Sequence, residues 1–177
     1  MPTAQVHVTS AILWWGSLIV AILDTALVLV LVRRVAAETF RRLKWPLVVT
    51  SGIFWAAIWL FLGSILYWDS VYGYVFPSWA RWYIPPCYGI LFAFLGYALW
   101  WLALHLPGKP VLTYFLLGGA VGTITHIWAI YRGILEKPPM LKGVSPASAM
   151  VFPFFEFVFY WGVILVVAMT IHNRRKR

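Results

Sequence analysis

Apolar residues in this chain come in long unbroken runs, without the three-four spacing of a half-buried helix or the alternation of a half-buried strand. Five runs, at about 9–32, 45–67, 85–106, 110–131 and 149–172, each reach the roughly 20 residues needed to cross a hydrocarbon core about 30 Å thick. The breaks between them carry turn and interface chemistry. They are a basic stretch at 33–44, an aromatic loop at 68–84, the tight turn Pro107-Gly108-Lys109-Pro110, and the Pro-, Gly- and Ser-containing 132–148. None is long enough for a soluble domain. Lipid offers backbone groups no partner, and runs this continuous lack the ten-residue alternation of barrel strands, so the spans must be helices. The expected fold is all-α: residues 1–177 as a single transmembrane domain, a polytopic membrane bundle of five transmembrane helices. The first run is too long for the core of a signal peptide and has no Lys or Arg ahead of it, so it is expected to remain as a spanning helix.

Composition agrees with this pattern. The chain is 63% hydrophobic and 11% charged, against roughly a quarter charged in soluble domains, too few to cover a water-facing surface. A net charge of +9 would suggest nucleic acid in a soluble protein, but here the basic residues gather at span ends, in 33–44 and 174–177, and no nucleic-acid partner is expected. The single cysteine, Cys87, can form neither an internal disulfide nor a thiolate metal cluster.

Five spans place 33–44, 107–110 and the C-terminal tail on one side. That side holds Arg33, Arg34, Arg41, Arg42, Lys44, Lys109, Arg174, Arg175, Lys176 and Arg177, against Arg81, Arg132, Lys137 and Lys142 on the other. The excess predicts an N-terminus outside and a C-terminus in the cytosol, in a cell inner membrane or the endoplasmic reticulum. Loop 68–84, with Trp68, Tyr72, Tyr74, Trp79, Trp82 and Tyr83, then reads as an aromatic belt at the outer face.

Three ionisable side chains fall inside spans: Asp24, His126 and Glu156. Each costs several kcal/mol in hydrocarbon and is for that reason a candidate functional residue. At about 1.5 Å per residue, His126 and Glu156 lie about 8 and 6 Å to the outer side of their midpoints, and Asp24 about 5 Å to the cytosolic side. His126 and Glu156 therefore share a level. Such a pair can be a proton relay, half a metal site, or two polar groups satisfying one another. No further His, Cys or carboxylate lies at that level, so no metal is expected, and the histidines are not placed for bis-histidine haem; no cofactor is expected.

Gly118, Gly119 and Gly122 give the fourth span a stripe that continues to Thr125 and His126. Its ordinary meaning is close helix packing, Gly118 and Gly122 lying at the contact; the alternative is a groove for a flat ligand. In the fifth span Pro153, Glu156 and Tyr160 lie along one face. Trp55 and Trp59 of the second span are likewise one turn apart, packing between helices or lining a cavity for an apolar ligand. Phosphate-binding glycine loops, the nucleophile elbow and the His-Glu-x-x-His zinc motif are all missing from the sequence.

The five-span order, the loop Thr39-Phe40-Arg41-Arg42-Leu43, Gly52 in the second span and its exit at Tyr67-Trp68-Asp69 resemble the emopamil-binding (EXPERA) family. The spacing from Cys87 through the tight turn to Phe157-Val158-Phe159 is similar too. The likeness covers about 130 residues. It implies a ligand cavity inside the bundle, as in that family's sterol isomerases and its lipid- or sterol-binding homologues. In the isomerases a His and a Glu one turn apart on the second span, aided by a Glu on the third, carry the proton and the cationic intermediate. The matching second-span positions here are Trp55 and Trp59, and the third span has no acid. The resemblance thus implies binding without isomerase turnover, with tryptophan faces able to stabilise a cationic amphiphile.

The leading expectation is an integral membrane protein that binds a sterol, isoprenoid or amphiphilic amine within its bundle, without catalysis. Its candidate site is Asp24, Trp55, Trp59, His126, Glu156 and Tyr160, its partners membrane lipid or a hydrophobic small molecule. The alternatives are an accessory transmembrane subunit of a redox or monooxygenase complex, associated with protein subunits in the membrane, and a proton-coupled transporter using Asp24, His126 and Glu156.

Overall fold

The structure, a computed structural model, describes residues 10–65, 80–132 and 146–174. Among the described residues there are six helices and no strand: α1 (Ser10–Arg34), α2 (Ala37–Arg42), α3 (Lys44–Ile65), α4 (Ala80–His105), α5 (Pro110–Tyr131) and α6 (Pro146–Arg174). Most of the aromatic loop and of the 132–148 connection lies outside those residues. Among the described residues four helices are long and apolar enough to cross a membrane, along Lys44–Phe61, Trp82–His105, Pro110–Trp128 and Pro153–Arg174. Large apolar side chains such as Ile53, Phe94, Ile124 and Phe159 point outward, as suits helices bathed in lipid. This is a helical membrane protein.

Prolines mark several helix starts. Pro110 and Pro146 are the first residues of α5 and α6, where the missing N–H has no intrahelical role. The expected start at Pro85 is corrected: α4 begins five residues earlier, at Ala80, and carries Pro85 and Pro86 in its second turn. Gly108, at φ 115°, makes the α4–α5 turn in backbone space that favours glycine.

α3 runs antiparallel to α4, Ser51 facing Gly96 and Ala56 facing Gly89. α5 runs antiparallel to α6, Gly118 facing Trp161 and Gly122 facing Phe157. α3 also packs on α6, and α4 on α5, closing a four-helix square. α1 lies outside it against α6 and α5, with Leu27 over Gly162. α2, a helix within the stretch expected as a plain basic loop, straps the end of the square from α1 to α3. Its Phe40 and the adjoining Leu43 are fully buried, Phe40 sits edge-on to Tyr114 of α5 at 5.5 Å, and the Trp100 indole N–H of α4 donates to the Phe40 carbonyl at 3.0 Å. These pairings bring 33–44, the α4–α5 turn and the end of α6 to one end of the bundle.

Candidate functional site

An aromatic cluster fills the space between α3, α4 and α6, and Trp55 is its centre. It is only 4% exposed, stacks on Phe92 of α4 at 4.0 Å, and meets Phe157 at 5.0 Å and the edge of Tyr160 at 5.3 Å, both from α6. Its helix neighbour Phe54 also reaches Tyr160, at 5.7 Å. Trp59, one turn on, lies 4.3 Å from Tyr88, whose ring leads back to Phe92. One face of Trp55 is thus covered by Phe92, and its burial leaves little of the ring open to a cation. What remains beside it is the edge where Tyr160 sits.

On that edge the Tyr160 hydroxyl donates to Glu156 Oε1 at 2.6 Å, one helical turn away on α6, both residues half-buried. A short O–H to carboxylate bond is among the stronger kinds, and a carboxylate has acceptor capacity beyond one phenol. The Glu156–Tyr160 pair is therefore a polar spot in an apolar wall, flanked by Phe54, Trp55 and Phe157.

His126 lies edge-on to the Phe157 ring at 5.6 Å. Its Nδ1–H donates to the Gly122 carbonyl of its own helix at 2.9 Å, which leaves Nε2 as the atom that can meet a further partner. Among the described residues His126 and Glu156 share neither an ion pair nor a hydrogen bond; the pairs there are Glu38–Arg41 and Glu38–Arg42. Asp24 stands apart, on α1, 1% exposed, its Oδ2 without a hydrogen-bond partner among the described residues. No three His, Cys, Asp or Glu side chains come together there as a metal would require.

Gly118, Gly119 and Gly122 are sockets. A Cβ on Gly119 would lie 2.6 Å from the Phe154 ring, and one on Gly118 or Gly122 would strike the Trp161 or Phe157 ring. Rings of the same chain thus occupy the groove these glycines leave. Sequence reasoning missed these ring partners, although Phe154, Phe157 and Trp161 recur on α6 at three and four residues, the spacing of one helix face. Phe92 and Tyr88 had a similar signal on α4, four residues apart.

A scan against protein-family models, a search of the curated proteins and a search of the solved structures each find no match to this chain. The functional reading rests on the site itself.

Proposed function

We propose that this membrane protein binds, without chemical turnover, an amphiphilic lipophile that carries an amine or hydroxyl, in the class of sterols, isoprenoid alcohols or amphiphilic amines. The observation that carries this reading is the Glu156–Tyr160 hydrogen bond, 2.6 Å long and set against Phe54 and Trp55. Glu156 accepts from the ligand's polar group while Tyr160 holds the carboxylate in place, and the rings beside them meet the apolar body. His126, with Nε2 to spare, is a second polar contact beside Phe157. In this reading α1 is a fifth span, and the basic end of the bundle faces the cytosol of a cell inner membrane or the endoplasmic reticulum.

The test is binding of a sterol, an isoprenoid alcohol and a tertiary-amine amphiphile to the protein in mild detergent. At least one should bind, with affinity reduced about tenfold by Glu156→Gln and severalfold by Tyr160→Phe, as loss of a charge-assisted hydrogen bond dictates. Equal binding by both variants, or no binding by a wild type recovered as a discrete heteromeric complex, overturns the reading. The second result would favour an accessory subunit.

A further inference from the structure

The strap end of the bundle carries seven basic residues among those described: Arg33, Arg34, Arg41, Arg42, Lys44, Lys109 and Arg174. Glu38 is the one acid there, and it engages Arg41 at 3.7 Å and Arg42 at 3.0 Å. Arg33 and Arg34 are exposed and make no ion pair among the described residues. At the opposite end the described basic positions are Arg81 and Arg132.

Beside these charges lies a collar of exposed apolar surface. Trp45 is 64% exposed, Trp101 44% and Leu106 42%. Lys44 Nζ sits over the rings of Trp45 and Tyr97, 5.1 Å from each centroid, and 5.8 Å from Trp100. A partner fitting this surface must present phosphate to guanidinium groups and hydrocarbon to indole rings, one just below the other. A soluble anion or a nucleic acid supplies only the first; an anionic glycerophospholipid supplies both. The strap is also already fixed, with Phe40 and Leu43 buried and the Phe40 carbonyl bonded to Trp100, so binding need not order it.

We propose that the strap end is a binding surface for anionic phospholipid headgroups, with Arg33, Arg34, Arg41 and Arg42 taking the phosphate and the Trp45–Trp101 collar the upper acyl chains. It is separate from the Glu156–Tyr160 site, and either can fail without the other.

The experiment is native mass spectrometry of the full chain offered phosphatidylglycerol and phosphatidylcholine with identical acyl chains. The wild type should retain phosphatidylglycerol at least about tenfold over phosphatidylcholine, given the attraction each basic residue adds near an anionic headgroup. That preference should weaken as salt shortens the Debye length. Replacing Arg33, Arg34, Arg41 and Arg42 together with Gln should abolish it, and Arg132→Gln should leave it intact. If the fourfold variant does not fold, the exposed pair Arg33→Gln and Arg34→Gln should still lower the preference about threefold. Equal retention of both lipids by the wild type, an unchanged preference in the Arg33/Arg34 variant, or displacement by inorganic phosphate at matched concentration overturns the proposal.

Discussion

Two helix interfaces in this bundle use glycine for opposite purposes. Where α3 meets α4, backbone approaches backbone. A Cβ on Gly52 would lie 3.0 Å from the Gly89 carbonyl oxygen, and one on Gly89 would lie 3.0 Å from the Gly52 oxygen and 3.0 Å from the Ala56 methyl. Where α5 meets α6, the glycines instead admit Trp161, Phe154 and Phe157. The first mode gains dispersion and weak Cα–H contacts over a long flush surface, the second by seating large rings in sockets. Small residues four apart signal either mode. What decides is the facing helix: α4 offers Gly89, Ala93 and Gly96, whereas α6 offers bulky aromatics.

The largest effect should come from filling the sockets. Gly118→Ile with Gly122→Ile places side chains where the Trp161 and Phe157 rings stand, and overpacking at two sites costs on the order of 3–5 kcal/mol. The expected result is a melting temperature lowered by roughly 10 °C, or failed recovery of folded protein in detergent. Unchanged stability would show that α6 can slide and that these are not sockets. Next in size is Phe157→Ala, which empties one socket at a cost of about 3 kcal/mol. Because that interface is a fit between a ring and a hole, Gly122→Leu in the same chain should restore part of the loss. A double-mutant cycle reads this as a coupling of about 1 kcal/mol or more, and strict additivity would argue against socket packing.

Much of this architecture was legible from the sequence. Continuous apolar runs marked the four helices long and apolar enough to cross a membrane, α3 to α6, and α1 beside them, among the described residues. The rotation of each helix was not legible, because a helix apolar on every side has no face that the sequence marks as inward. Hence the depth argument put His126 and Glu156 on one level but could not show that His126 bonds to its own Gly122 carbonyl beside the Phe157 ring while Glu156 bonds to Tyr160. The strap was hidden for a related reason: one buried Phe40 among four charged neighbours looks like a polar loop until Tyr114 and Trp100 are seen above it. Gly52 was visible, yet its partner Gly89 becomes a partner only through the α3–α4 register.

At the flush interface the expected behaviour is smaller and of a different kind. Gly89→Ala should cost about 1–3 kcal/mol, because its methyl meets a carbonyl oxygen that cannot turn aside as a ring can. Ala56→Gly relieves the contact with the neighbouring methyl but leaves the Gly52 oxygen in place. The double variant should therefore recover little of the lost thermal stability. Full recovery would make the Ala56 methyl the only obstacle and turn this interface into a second example of side-chain fit.

The smallest effect tests what joins the two helix pairs. Trp100 of α4 donates its indole N–H to the Phe40 carbonyl, and Phe40 in turn lies against Tyr114 of α5, so the strap ties both pairs at one end. Trp100→Phe keeps much of the ring and removes the donor, leaving a buried carbonyl with one partner fewer, at about 1 kcal/mol. Since the strap is one short helix at the surface, the loss should appear as local opening before it appears as global melting. Arg41 and Arg42 are exposed there and give trypsin its target. Cleavage in the strap should become about fivefold faster, the factor that 1 kcal/mol represents when opening precedes cutting, while the melting temperature moves by only a few degrees. Faster cleavage with an unmoved melting temperature would confine the bond's influence to the strap. A large melting shift with no change in cleavage would mean that Trp100 supports the α3–α4 contact instead, and that the two interfaces are coupled elsewhere.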